Sequence, residues 1–388
     1  MQSKDRSNAP VLPRAAIVSL CAALLPLPVS AGYFQQNLVS DIPGLAQNTD
    51  ANLKNPWGIS FSATSPFWVS NNHTGTSTLY NSSGTPQALV VSVPPQSAGT
   101  GSPTGQVFNV NNANASVFSG DRFIFATEDG TISGWQNVPT GNTSAAIRKD
   151  NFASGAVYKG LAIDSSANTL YATNFSGTGK IDSYDSSYNL ITPASRFTDP
   201  NLPAGYAPFN IQNIGGVLYV AYAFKASSTD TDETAGPGLG LVDKYDLNGN
   251  LLNRLITGGP LDAPWGFALA PSNFGQYSND LLVGNFGDGK INAFNPVSGN
   301  YLGTLTDSSG KDIVIEGLWG LTFGNGGSGG VTNKLYFAAG ISDGAPLNIE
   351  QHGLFGSLSV VPEPDSLTLF GIGLLGFVFG KRRAILKG

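Results

Sequence analysis

The sequence predicts an all-β protein, a six-bladed β-propeller, and three observations carry that prediction. A Gly-bearing motif returns at multiples of roughly 50 residues, each copy opens a run of short alternating strands, and helix-period patterning is weak. Four copies are clear: Pro56-Trp57-Gly58, Tyr158-Lys159-Gly160, Pro264-Trp265-Gly266 and Leu318-Trp319-Gly320. A second strand follows each, over 67–71, 170–174, 281–285 and 335–339. A third comes after a Gly-rich turn, as at 179–185 and 289–295, and an outer fourth after turns such as 247–250. Residues 122–127 and 217–222 read as second strands of two further units, which makes six. Short strands in fours, joined by Gly-rich turns, describe propeller blades over 33–360. The early strand at 33–38 is expected to pair with the last blade, closing the ring and removing its free edge.

The two ends read as export signals. Lys4, Arg6 and Arg14 make a basic start, 15–25 is apolar, and Val29-Ser30-Ala31 is a small-x-small cleavage site, so 1–31 reads as a signal peptide and the mature chain starts at Gly32. Cys21, the single cysteine, lies inside this segment, so the remaining chain has neither disulfide nor thiolate chemistry. At the other end, 361–388 begins Val361-Pro362-Glu363-Pro364, continues as an apolar run over 367–380 and stops at Lys381, Arg382 and Arg383. As a helix that run would span about 21 Å, short of the ~30 Å hydrocarbon core, which suits a transient anchor. The basic cluster fits the cytoplasmic side. Gly371, Gly373 and Gly376 satisfy the dinucleotide pattern G-x-G-x-x-G, but no acidic residue follows at the required distance, and close glycines in an apolar helix serve packing.

In its order of parts this tail resembles the PEP-CTERM tail of Gram-negative exported proteins. The resemblance implies cleavage near Pro364 by an exosortase-type membrane protease and delivery to the cell surface. The blades resemble NHL-type repeats, with Asn71, Asn174 and Asn285 where that repeat usually has Asp. The whole chain looks like a family of exported PEP-CTERM propellers, which implies a fold and a location but no activity.

Composition narrows the partners. The first 31 residues carry three basic and one acidic residue, and 362–388 carry four basic and two acidic; 13 Lys and Arg then face 23 Asp and Glu, a formal charge of −10. An acidic chain without a basic patch argues against nucleic acid and anionic lipid headgroups. The expected partners are the Sec export machinery, the exosortase-type protease and, outside the cell, exopolysaccharide or surface proteins.

Propeller geometry stacks equivalent residues around a ring. The residue before each marker glycine, Trp57, Lys159, Trp265 and Trp319, is expected near the channel mouth. The residues ending the second strands, Asn71, Thr127, Asn174, Tyr222, Asn285 and Ala339, are expected on the same face. Three indoles and a ring of amides would bind carbohydrate by stacking and hydrogen bonding. The structural alternative is that the Trp-Gly pairs wedge between blades and the Asn residues serve the turns. His73 and His352 are both expected in the loop after a second strand, in neighbouring blades one and six, where with Glu128 or Asp129 they would make a metal site or an acid–base pair. The insertion 226–238, with Asp230, Asp232 and Glu233, reads as a flexible acidic loop, with weak Ca²⁺ binding as the alternative.

No cofactor is expected from these motifs, though Ca²⁺ or another divalent metal stays open. The leading reading is a non-enzymatic binding module for a glycan or protein at the cell surface, with no catalytic residue assigned. One alternative is a metal-dependent hydrolase or lyase. Sugar-lactonase-like propellers bind a channel metal through Glu, Asn and Asp, and this chain offers Asn174 and Asn285 without a matching Glu in blade one. The other alternative is a purely structural envelope protein.

Overall fold

The computed structural model describes residues 32–192, 195–344 and 349–361. The expectations for 1–31, including cleavage after Ala31, and for Pro362, Glu363, Pro364 and the apolar run lie outside the described residues. Among the described residues no helix is long and apolar enough to cross a membrane.

The strands form six sheets in chain order around a ring, as expected. The inner strands are Pro56–Ser60, Pro103–Phe108, Tyr158–Ile163, Tyr206–Ile214, Pro264–Leu269 and Leu318–Phe323. Each pairs antiparallel with the strand that follows it, and the sixth blade is completed by the N-terminal strand Tyr33–Ser40. That strand runs against His352–Val360, with Tyr33 opposite Val360 and Ser40 opposite Leu354, so the ring closes between the two ends of the propeller.

The inner strands explain the repeated glycine. In every blade the register slips just after one pair: Pro56 with Asn71, Pro103 with Thr127, Tyr158 with Asn174, Pro208 with Tyr222, Pro264 with Asn285 and Leu318 with Ala339. A bulge inserts an unpaired residue and re-aims its side chain. The column so placed is Trp57, Thr104, Lys159, Phe209, Trp265 and Trp319. The next residue lies against the neighbouring blade. A Cβ on Gly58 would stand 2.6 Å from the Thr104 carbonyl oxygen, and one on Gly320 would run into the carbonyl of Trp57. The fourth blade has Asn210 here, and its Nδ2 donates to the Trp265 carbonyl at 2.6 Å, bonding to the blade beyond.

Blade three departs from the four-strand expectation. Among the described residues its sheet holds three strands, and the segment after them meets the edge through a single bridge, Tyr184 with Leu190. Asp185 turns the chain back by accepting from the Ser187 and Asn189 amides, the turn that Asp246 also makes in blade four ahead of a full outer strand.

Candidate functional site

The channel has two ends, and they differ. Where the inner strands begin, the indoles close it. Trp57, Trp265 and Trp319 are 2%, 4% and 1% exposed. Trp57 stacks on Trp319 with ring centroids 3.5 Å apart, and Trp265 meets both edge-on at about 6 Å. Phe286 stacks on the other side of Trp319, and Phe209 packs against Trp57 and Trp319. Trp265 Nε1 donates to the Lys159 carbonyl and Trp319 Nε1 to Asn55 Oδ1. The exposed indole cup expected from sequence is therefore replaced by a buried plug. A six-bladed ring leaves an axial space that indoles from blades five, six and one fill, while Thr104, Lys159 and Phe209 on the facing blades leave room for them.

The residues ending the second strands pair with the starts of the inner strands, and their side chains are buried. Asn71 Nδ2 donates to Thr76 and Thr78, Asn174 Nδ2 to Asp182, and Asn285 Nδ2 to Asp288 and the Pro260 carbonyl. The Tyr222 hydroxyl is 2.8 Å from that of Tyr245. These amides cap their own turns instead of presenting a ring to solvent.

Above the plug lies a charged cap. The Lys159 side chain is 1% exposed, with Nζ 2.5 Å from Glu128 Oε1, 2.8 Å from Asp232 Oδ1 and 5.3 Å from the Trp57 ring centroid. Burial alone would pull the ammonium pKa down, but the facing carboxylates, Glu128 and Asp232 in direct contact, outweigh it and hold the charge in place. The insertion 226–238 is thus tied across the mouth instead of hanging free. Asp232 reaches Lys159, the Thr234 amide donates to the Phe224 carbonyl, and the Gly236 amide donates to Asp262. Glu128 also accepts from Asn72, and Glu350 from Asn55. Glu350 holds this position at φ 74°, a left-handed conformation that a non-glycine residue adopts at a cost.

The histidine expectation is half corrected. His73 follows the second strand of blade one and is exposed at the mouth; desolvation lowers its pKa against the opposing pull of Glu128. His352 is instead the first residue of a strand, and its Nδ1 lies 2.7 Å from Asp41 Oδ2. Strand pairing with Ile341 fixes it there, with its ring committed to Asp41. Among the described residues no three His, Cys, Asp or Glu are grouped to hold a metal ion.

The cap carries a pH dependence. Burial pushes Glu233 up to about 7, with Lys159 pulling against it; burial does the same for Glu350, reinforced by Glu233. Folded, both keep a proton that the unfolded chain releases near 4.5. Stability from this source is complete below that value and is lost as pH rises through about 7. The unfolding midpoint is expected to fall between pH 5 and 8, and the double variant Glu233→Gln, Glu350→Gln to flatten most of that fall. Thermal melts across the range check this; an identical slope in the variant would contradict it. Asp243, pushed to about 6 by burial, supplies the residual slope.

At the opposite end, where the inner strands finish, the channel opens into a cup of about 320 Å³ that all six blades line. No charged side chain lines it. Apolar walls such as Ile59, Leu161 and Leu321 alternate with amides and hydroxyls, and Trp265 of the plug contributes to the lining. Sequence reading missed this end. Its signal was present in Pro103-Thr104-Gly105-Gln106 and Pro208-Phe209-Asn210, inner-strand starts that repeat the motif of the other blades.

Comparison with known proteins adds family and destination. The PEP-CTERM protein-sorting motif matches residues 360–383. Two uncharacterized proteins of Acanthamoeba polyphaga mimivirus are similar to most of the chain. One is 32% identical over 292 residues, 73% of this chain and 72% of the relative. The other is 31% identical over 293 residues, 73% of this chain and 77% of the relative. Among solved structures, a glucose dehydrogenase aligns over 85% of this chain and 100% of its own, with a TM-score of 0.51 and 12% identity, a likeness of fold alone.

Proposed function

Because the chain belongs to the family of these two mimivirus proteins and carries a PEP-CTERM sorting motif, which implies export and cell-surface sorting, we propose that it is an exported surface protein whose propeller is a non-enzymatic binding module. In this reading 1–31 directs Sec export and is removed after Ala31. The run 367–380 then holds the inner membrane transiently, and an exosortase-type protease cuts near Pro364.

The observation that carries the binding reading is the uncharged cup. A channel stoppered by indoles at one end is a dead-end pocket at the other, and about 320 Å³ lies at the small end of the range for ligand sites. At the mouth Glu128 and Asp232 are committed to Lys159 and Glu350 to Asn55, whereas the cup is open and uncharged. Extracellular polysaccharide or a projecting group of another surface protein would enter it.

The test is rebinding of the exported protein to cells that lack their own copy. Thr322 lines the cup and is half-buried, so Thr322→Trp fills the cavity from its wall. Rebinding is expected to be lost in that variant and kept in Asp232→Asn, which alters only the cap. Equal rebinding by Thr322→Trp, with its fold intact by near-ultraviolet dichroism, would refute the proposal.

A further inference from the structure

We infer that the cup takes an uncharged, polyhydroxylated ligand, one or two units of a neutral saccharide. This inference rests on the binding reading above and names the ligand class for the same site.

The first ground is charge. Every side chain lining the cup is neutral, so a carboxylate or ammonium entering it would lose hydration without a partner, and a buried unpaired charge is strongly disfavoured. The second is the supply of free polar groups. Gln106 is spent on its own fold: its Nε2 donates to the Gly58 and Trp68 carbonyls, and its Oε1 accepts from Ser77. Two other groups are not spent. The Gln212 amide makes no side-chain bond within the described residues, and Asn210 uses only its Nδ2. Both belong to the inner strand of blade four. A ligand in the cup would therefore meet hydrogen-bonding groups on the blade-four wall. The third ground is the rest of the wall. Phe61 and Phe108 are half-buried rings in the lining, and Ile59 and Leu161 add apolar surface. Hydroxyls at the rim of a ring and C–H groups on its faces match that arrangement; a wholly apolar ligand would strand the two blade-four amides.

The test uses the full chain, held in a detergent without a sugar headgroup, with saturation-transfer NMR on cellobiose, N-acetylglucosamine, glucuronate and glucosamine. Transfer is expected to the two neutral sugars and not to the two charged ones. Gln212→Ala, a truncation that leaves the backbone in place, is expected to raise Kd about tenfold, the value of one hydrogen bond at roughly 1.4 kcal/mol. Thr322→Trp is expected to abolish transfer. Charged sugars binding in a manner lost in Thr322→Trp would overturn the ligand class and leave the binding reading standing. Absence of transfer to any neutral sugar, with Thr322-sensitive rebinding to cells intact, would do the same. Neutral-sugar transfer unchanged in both variants would overturn both.

Discussion

Replacing Trp319 by alanine is expected to destabilise the propeller by about 3–5 kcal/mol, the usual range for losing a large aromatic from a core. That is a large part of the ~5–15 kcal/mol typical of a folded domain. Trp319 is 1% exposed and lies between Trp57 and Phe286, so its removal strips both stacking partners at once. It also removes the donor that holds Asn55, which in turn holds Glu350 in its strained conformation. The loss should therefore reach the charged cap as well as the plug. Denaturant unfolding followed by circular dichroism measures the effect. A change below about 1 kcal/mol would mean that the indole is not packed as described. Trp265→Ala should behave similarly, because it leaves the Lys159 carbonyl without its indole donor.

The second large effect concerns destination. The variant Pro362→Ala, Pro364→Ala is expected to accumulate in the inner membrane, with little protein at the surface. The reason is that the rigid Pro-Glu-Pro lies immediately before the apolar run within the sorting motif matched at 360–383. Mass spectrometry of the surface-released parent protein should give a chain starting at Gly32 and ending near Pro364. Recovery of a mature surface chain that still carries 367–383 would contradict processing. Normal surface release of the double-alanine variant would contradict the role of the prolines.

Much of this architecture was legible because local chemistry repeats. Gly58, Gly160, Gly266 and Gly320 mark a bulge that recurs in every blade, and with the second strands read at 122–127 and 217–222 their spacing set the blade number at six. The residues ending the second strands were expected only to share a face; the structure pairs them with the start of each inner strand, Tyr222 with Pro208 as Asn71 with Pro56 and Asn285 with Pro264. What spacing does not encode is the width of the hole in the middle. Whether Trp57, Trp265 and Trp319 line a cup or fill it depends on the smaller partners Thr104 and Phe209, in the two blades whose inner strands the glycine motif does not mark. The cap was illegible for another reason. Lys159 and Asp232 are 73 residues apart, and Glu350 comes from the far end of the ring. The insertion looked like a free acidic loop because its counter-charge could not be seen in its own neighbourhood. The cup was hidden because Leu161, Gln212 and Thr322 are ordinary strand positions that only ring closure brings to one cavity.

The most direct test of the central claim, that this propeller binds through the cup and is stoppered at the mouth, is a crystal structure of the propeller soaked in cellobiose. The account predicts sugar density in the cup, against Gln212, with the three indoles unmoved and Lys159 still paired to Glu128 and Asp232. Density instead at the mouth, with the 226–238 segment displaced from Lys159 and the indoles parted, would contradict it.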